Sequence, residues 1–177
     1  ELKEAAADAF MTKPLFRSKL VRILRQFLEK RNVKTSKGDV GNFSGDLDSR
    51  RLLLVEDNDL NRDIARELLE LKGAIVDVAQ NGRQAVDLFS ASPEGWYDLI
   101  LMDIQMPVMN GYEATANIRA GESDYWKNIP VIAMTANVFQ EDESRAAECG
   151  MSDYVTKPID MNVIYSVLEK WLRGQKG

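Results

Sequence analysis

The sequence has no histidine among its 177 residues. That removes the usual general base, the usual zinc-ligating nitrogen and any phosphohistidine of the chain's own. A histidine in its chemistry must come from a partner. The single cysteine, Cys149, cannot close an internal disulfide, and beside Gly150 at an expected helix end it reads as a small packed residue without a role. No run approaches the roughly 18 to 20 uninterrupted apolar residues of a membrane span, and no basic-then-apolar leader opens the chain. The expectation is a cytoplasmic segment that makes no membrane contact itself. The chain starts at Glu1 rather than Met, and it reads as a piece of a longer polypeptide, whose parent could still be membrane-anchored.

Basic charge is scarce where a nucleic-acid binder needs it. Residues 1–49 carry 10 Lys+Arg against 7 Asp+Glu, which leaves residues 50–177 with 13 against 21 of the chain's 23 and 28, a net charge of −8. Duplex affinity rests on neutralising phosphates with Lys and Arg, so direct nucleic-acid binding is not expected. The acidic body suits a cation or a protein partner. The basic run Arg17, Lys19, Arg22, Arg25, Lys30 and Arg31 reads as the solvated face of a helix.

What is present is an alternation. Hydrophobic residues make up 45% of the chain, enough for a full core. The pattern predicts strand 51–56, helix 59–72, strand 74–78, helix 82–90, strand 98–103, helix 111–120, strand 130–134, helix 138–148, strand 153–156 and helix 160–173. Strands alternating with helices imply an α/β fold with a parallel sheet. Leu60, Ile64, Leu68 and Leu71 are expected to form the buried face of the first helix, and Gly73 and Gly150 to end helices in a left-handed turn. The helix over 138–148 has only a thin apolar stripe, Val138, Ala146 and Cys149, so weak docking is expected of it.

Residues 34–49, with Gly38, Gly41 and Gly45 among serines and aspartates, read as a flexible linker to a domain over 50–177. Before the linker, Ala9-Phe-Met-Thr-Lys-Pro-Leu15 lies over Asp153-Tyr-Val-Thr-Lys-Pro-Ile159, and Leu20, Ile23, Leu24 and Phe27 fall in phase with Ile164, Val167, Leu168 and Trp171. Residues 1–33 therefore read as the last strand and helix of a preceding related domain. An amphipathic helix over 15–31, with Leu28 on the same stripe, forms an N-terminal extension that could support self-association.

Four polar residues, Asp57, Asp103, Thr135 and Lys157, each stand at the C-terminal end of a strand-like run, and ligands of parallel sheets collect at that end. Glu56, Asp57 and Asp103 would bring three carboxylates together, a repulsion that a cation relieves. Oxygen-only ligands that work with a phosphate point to Mg2+. Lys157 can hold a phosphoryl oxygen and Thr135 can donate its hydroxyl to another. Phosphoryl transfer needs these parts, with one aspartate as nucleophile. Asp103 is that nucleophile, ending the central strand before the loop Ile104-Gln-Met-Pro-Val-Met-Asn-Gly111. Lys157-Pro158 is a candidate cis peptide bond.

The motifs Val55-Glu56-Asp57-Asn58, Met102-Asp103-Ile-Gln-Met-Pro107-Val-Met-Asn-Gly111, Met134-Thr135-Ala136 and Lys157-Pro158 resemble the receiver domain of two-component response regulators, over about residues 50–173. The resemblance implies a doubly wound, flavodoxin-like five-stranded parallel sheet of order 2-1-3-4-5 with helices on both faces. It implies that Asp103 is the phosphoacceptor and Asp57 a direct Mg2+ ligand, with Glu56 acting mainly through water and the Gln105 backbone carbonyl completing the protein's share. Thr135 and Tyr154 then form the switch pair, Ala136 leaves room for the phosphoryl group beside Lys157, and Gln105 and Asn137 bear on its lifetime. Partners follow: a histidine kinase or a histidine phosphotransfer domain.

The wording around Asp103 is similar to receivers fused to hybrid histidine kinases, which implies such a parent for a segment that itself holds no kinase domain. Two other functions share parts of the pattern. One is a Mg2+-dependent aspartyl-phosphate phosphatase, which would want a further acid and a substrate cap. The other is a receiver-like interaction module that is never phosphorylated.

Overall fold

A computed structural model describes residues 47–136 and 145–173. The remnant expected over residues 1–33 and its expected helix over 15–31, the part of the expected linker up to residue 46, Asn137 and the first part of the helix expected over 138–148 lie outside the described residues.

Within them the elements follow the expected alternation. In chain order they are β1 (Arg51–Val55), α1 (Asp59–Glu70), β2 (Ile75–Ala79), α2 (Gly82–Ala91), β3 (Leu99–Asp103), α3 (Gly111–Arg119), α4 (Asp124–Asn128), β4 (Val131–Thr135), β5 (Asp153–Thr156) and α5 (Met161–Leu172). The five strands make one parallel sheet of order β2-β1-β3-β4-β5, so β3 is central and the order reverses between β1 and β3. Alternate residues of each inner strand face opposite sides. Leu53, Val55, Ile100 and Met102 pack with Phe89 of α2 and Ile118 of α3. Leu52, Leu54, Leu99 and Leu101 pack with Leu69 of α1 and with Ile164 and Leu168 of α5. This is the doubly wound arrangement: α2 and α3 on one face, α1 and α5 on the other.

Asparagines set three helix starts at the C-terminal ends of the strands. Asn58, Asn81 and Asn110 each accept a backbone N–H of the helix they precede, and Asn110 forms a full capping box with Glu113. Gly73 and Gly150 have φ of 90° and 83°, the left-handed ends their positions predict.

Three expectations need correction. The buried line of α1 is Arg62, Ala65 and Leu69, whereas Leu60 and Leu71 are 44% and 47% exposed and Ile64 and Leu68 are half-buried. Ala65 and Leu69 carry the contact with the sheet, which leaves the bulkier residues on the flank. The expected linker ends on the fold: Leu47 is buried, its N–H donates to the Lys72 carbonyl at 2.9 Å, and its own carbonyl accepts from Arg50 at 2.9 Å. An apolar residue among glycines and aspartates gains about 1.5 to 3 kcal/mol by such burial. The short helix α4 was not anticipated; Ser123 caps it, and Tyr125 and Trp126 pack from it onto Phe89.

Candidate functional site

Strand ends bring the polar residues together. Glu56 follows β1 directly and donates its N–H to Ala79 O at 3.1 Å. Asp103 is the last residue of β3, in register with Met134, one residue before Thr135 on β4. Lys157 follows β5, and its N–H donates to Thr135 O at 2.7 Å. The Lys157-Pro158 bond is cis.

Charge is mismatched at this point. Glu56, Asp57 and Asp103 each present a carboxylate oxygen within 4.8 Å of the others. Glu56 and Asp103 are only 1% and 2% exposed, while Asp57 is open to solvent. The Lys157 ammonium donates to Asp103 Oδ2 at 2.6 Å and ion-pairs with Glu56 Oε2 at 2.7 Å. One ammonium thus meets two buried acids, with a third carboxylate beside them. Asp103 Oδ1 accepts the Gln105 N–H at 3.1 Å, and Glu56 Oε1 accepts from Asn58 N and Asn61 Nδ2 at 3.4 Å. Glu56 Oε2 is buried without an aligned hydrogen bond, despite the nearby ammonium.

Burial pushes the Asp103 carboxyl above its ordinary value; the hydrogen bond and charge of Lys157 oppose the rise, and the negative charge of Glu56 adds to it. For Lys157 burial favours the neutral amine, but the two carboxylates outweigh it and hold the ammonium above its ordinary value. An oxygen-only donor set of three clustered carboxylates, two of them buried, fits a hard divalent cation.

The remaining predicted residues sit around this cluster. Thr135 is buried at 8% exposure, and Ala136 follows it at the surface. Tyr154 lies on edge strand β5, in register with Ala133, and is 40% exposed. The loop after Asp103 turns back on itself, with Gly111 N–H donating to Ile104 O at 3.0 Å. A Cβ on Gly111 would stand 2.3 Å from Asp103 O, so only glycine lets the loop close there. Val108, in the same loop, holds a left-handed φ of 71° and is 82% exposed.

Arg62 is a residue that the sequence reading missed. It is 6% exposed, and its Nη1 donates to Glu56 O at 2.9 Å and Asp57 O at 3.3 Å. Its three-residue spacing from Asp59, with which Nη2 pairs, was the available signal.

Comparisons with known proteins place the chain in a family. The sequence pattern of the response regulator receiver domain matches residues 52–169. Hybrid signal transduction histidine kinase I of Dictyostelium discoideum is 38% identical over 136 residues, which is 76% of this chain and 8% of that protein. Probable histidine kinase 2 of Oryza sativa subsp. indica is 41% identical over 140 residues, 73% of this chain and 13% of that protein. The chain therefore spans about a tenth of the length of these relatives.

Among solved structures, the receiver domain of a sensor histidine kinase from Pseudomonas aeruginosa superposes with a TM-score of 0.63 at 36% identity, covering 71% of this chain and 98% of that one. It carries a magnesium ion in its active-site cleft. A Saccharomyces cerevisiae response regulator receiver domain, crystallised with a histidine phosphotransfer signaling protein, gives 0.66 at 30% identity over 74% of this chain and 94% of that one. From its parallel sheet, the acidic cluster at the strand ends and the sequence pattern over 52–169, the chain belongs to the response regulator receiver domains of two-component signalling.

Proposed function

We propose that Asp103 takes a phosphoryl group from the phosphohistidine of a histidine kinase or histidine phosphotransfer domain, in a Mg2+-dependent step. The observation that carries it is the buried Asp103 carboxylate, held at 2.6 Å by Lys157 beside Glu56 and Asp57. An Asp103 oxygen attacks phosphorus, the P–N bond breaks, and the imidazole nitrogen keeps the electron pair and takes up a proton. Lys157 moves its ammonium from carboxylate to phosphoryl oxygen, a point charge on the developing negative charge. The Thr135 hydroxyl donates to a second phosphoryl oxygen, and Ala136 offers no bulk against it. Glu56, Asp57, Asp103 and the Gln105 carbonyl are the groups that would hold Mg2+. When bound, the ion supplies charge neutralisation between these acids and the incoming phosphoryl group.

Thr135 drawn toward the phosphoryl group leaves space that Tyr154 fills from its exposed position. Two nearby states exchange population, and the phosphoryl group prefers one of them. The parent is a cytoplasmic or membrane-anchored hybrid histidine kinase, with residues 1–33 the end of a preceding receiver-like domain. The resemblance of the Asp103 loop and the kinase relatives support this.

Wild type and Asp103→Asn, incubated with acetyl phosphate and Mg2+ and weighed intact, test the central claim. Wild type gains one phosphoryl group, Asp103→Asn gains none, and chelator abolishes the gain. Equal uptake by both proteins, or undiminished uptake in chelator, overturns the assignment. No uptake by wild type favours an interaction module, and turnover of phosphoester substrates favours a phosphatase.

A further inference from the structure

Five polar residues are buried among those described: Glu56, Arg62, Asp103, Thr115 and Thr135. Thr115 spends its hydroxyl on the Gly111 carbonyl at 2.8 Å within α3. Glu56, Asp103 and Thr135 belong to the phosphoacceptor site. Arg62 is left over, although a buried guanidinium is costly unless its donors are used.

We infer that Arg62 is a positioning residue for the divalent-cation site. It clamps the turn that carries Glu56 and Asp57, so that both carboxylates face one ion. The inference rests on the reading that this site takes Mg2+.

Its geometry is that of a clamp across one turn. Nη1 reaches the Glu56 carbonyl at 2.9 Å and the Asp57 carbonyl at 3.3 Å, and Nη2 pairs with the Asp59 carboxylate. The backbone N–H of Arg62 also donates to Asn58 O at 2.9 Å, so the same residue is tied to the turn at both ends. The planar fork fixes these acceptors relative to one another, which an ammonium on a flexible stem cannot do. Without it two carbonyls of the turn lose this donor, and the peptide between Glu56 and Asp57 is held less firmly. That peptide sets the relative aim of two of the three acids.

Charge and geometry predict opposite signs here. A guanidinium close to a cation site repels the ion, so by charge alone its removal tightens binding. The Asp59 partner, 81% exposed at its side chain, offsets that charge from the solvent side. Geometry therefore dominates, and loss of the fork weakens the ion. Groups that orient metal ligands from behind commonly matter by roughly 10- to 100-fold in affinity.

The test measures Mg2+ affinity by titration calorimetry on the full chain, with thermal unfolding in parallel. Arg62→Lys keeps the charge and loses the fork; its dissociation constant should rise about tenfold. Asp59→Ala removes only the outer anchor and should raise it by a smaller factor. In both variants saturating Mg2+ should restore phosphorylation by acetyl phosphate toward the wild-type rate, because the ligands themselves are intact. A folded Arg62→Lys with unchanged or tighter Mg2+ binding overturns the proposal. If Arg62→Lys does not fold, Arg62→Gln decides: charge alone would tighten Mg2+ there, so weaker binding supports the clamp and unchanged or tighter binding removes it. Wild type that binds no Mg2+ sinks both this inference and the ion site. Wild type that binds it, with Arg62→Lys equal to it, sinks this inference alone.

Discussion

The two ends of the sheet treat charge in opposite ways. At the N-terminal end three cations each pair with an acid: Arg50 with Asp98 at 2.7 Å, Arg51 with Asp77 at 3.2 Å, and Lys170 with Asp153 at 2.7 Å. Arg51 also stacks on Trp96, 4.1 Å from the ring centroid. These pairs keep contact with solvent, Arg50–Asp98 the least, and solvent-screened pairs contribute little to stability. At the C-terminal end Lys157 faces two buried carboxylates, with Asp57 beside them. Like charges gathered out of water are unfavourable unless a ligand uses them, so imbalance combined with burial marks the functional end.

The sharpest way to break this comparison is to remove one cation from each end. Without added divalent ion, Lys157→Met should lose about 3 kcal/mol of stability, because two buried carboxylates are left without their counter-charge. Arg51→Met should lose less than about 1 kcal/mol. Denaturant unfolding measures both, and Mg2+ should recover part of the first loss and none of the second. Equal losses would show that the two ends do not differ.

Backbone strain gives a smaller contrast. Val108 beside the site and Ser49 at the opposite end both hold positive φ, 71° and 66°. The β-branched Val108 bears the greater penalty, so Val108→Gly should raise stability by about 1 kcal/mol after the entropy that glycine adds to the unfolded chain. Ser49→Gly should raise it by less. Thermal unfolding of the two variants ranks them, and a larger gain at Ser49 would reverse the expectation.

The smallest effect concerns pH at the balanced end. Burial opposes ionisation of Asp153, but hydrogen bonds from Lys170 and Trp171 and the Tyr154 N–H outweigh it and hold its carboxyl below the ordinary 3.8. A depressed folded value means that the stabilisation is present above pH 3.8 and is lost as pH falls through the lowered value. Lys170 is 65% exposed at its side chain, so water screens the pair and the contribution is under about 1 kcal/mol. Asp153→Asn should be slightly less stable than wild type near neutral pH, and the difference should vanish in strong acid. A difference that grows on acidification would contradict the sign.

Most of the fold was legible because each inner strand is a short apolar run and the stretches between them carry apolar residues at roughly helical spacing. Asp57, Asp103, Thr135 and Lys157 were legible for the same reason: strand ends in a parallel sheet converge, so their residues could be grouped before any distance was known. The inward line of α1 was not legible. Counting apolar residues selected Leu60, Ile64, Leu68 and Leu71, but the structure buries Arg62, Ala65 and Leu69. Leu47 was hidden in a segment whose glycines and aspartates outweighed one apolar residue, and α4 was too short to show a period.

The sequence by itself determined the order of the strands and the longer helices along the chain, the glycines at turns that admit no Cβ, and which residue types stand at the strand ends. Those follow from local periodicity, backbone sterics and chain order. Only the tertiary structure decided that Glu56 is buried while Asp57 is exposed, that one lysine faces both Glu56 and Asp103, and that an arginine lies inward on α1. Burial and charge pairing depend on what residues far apart in the chain bring to the same place, such as Asp103 and Lys157 or Leu47 and Lys72. A local pattern carries no information about such neighbours until the sheet has assembled.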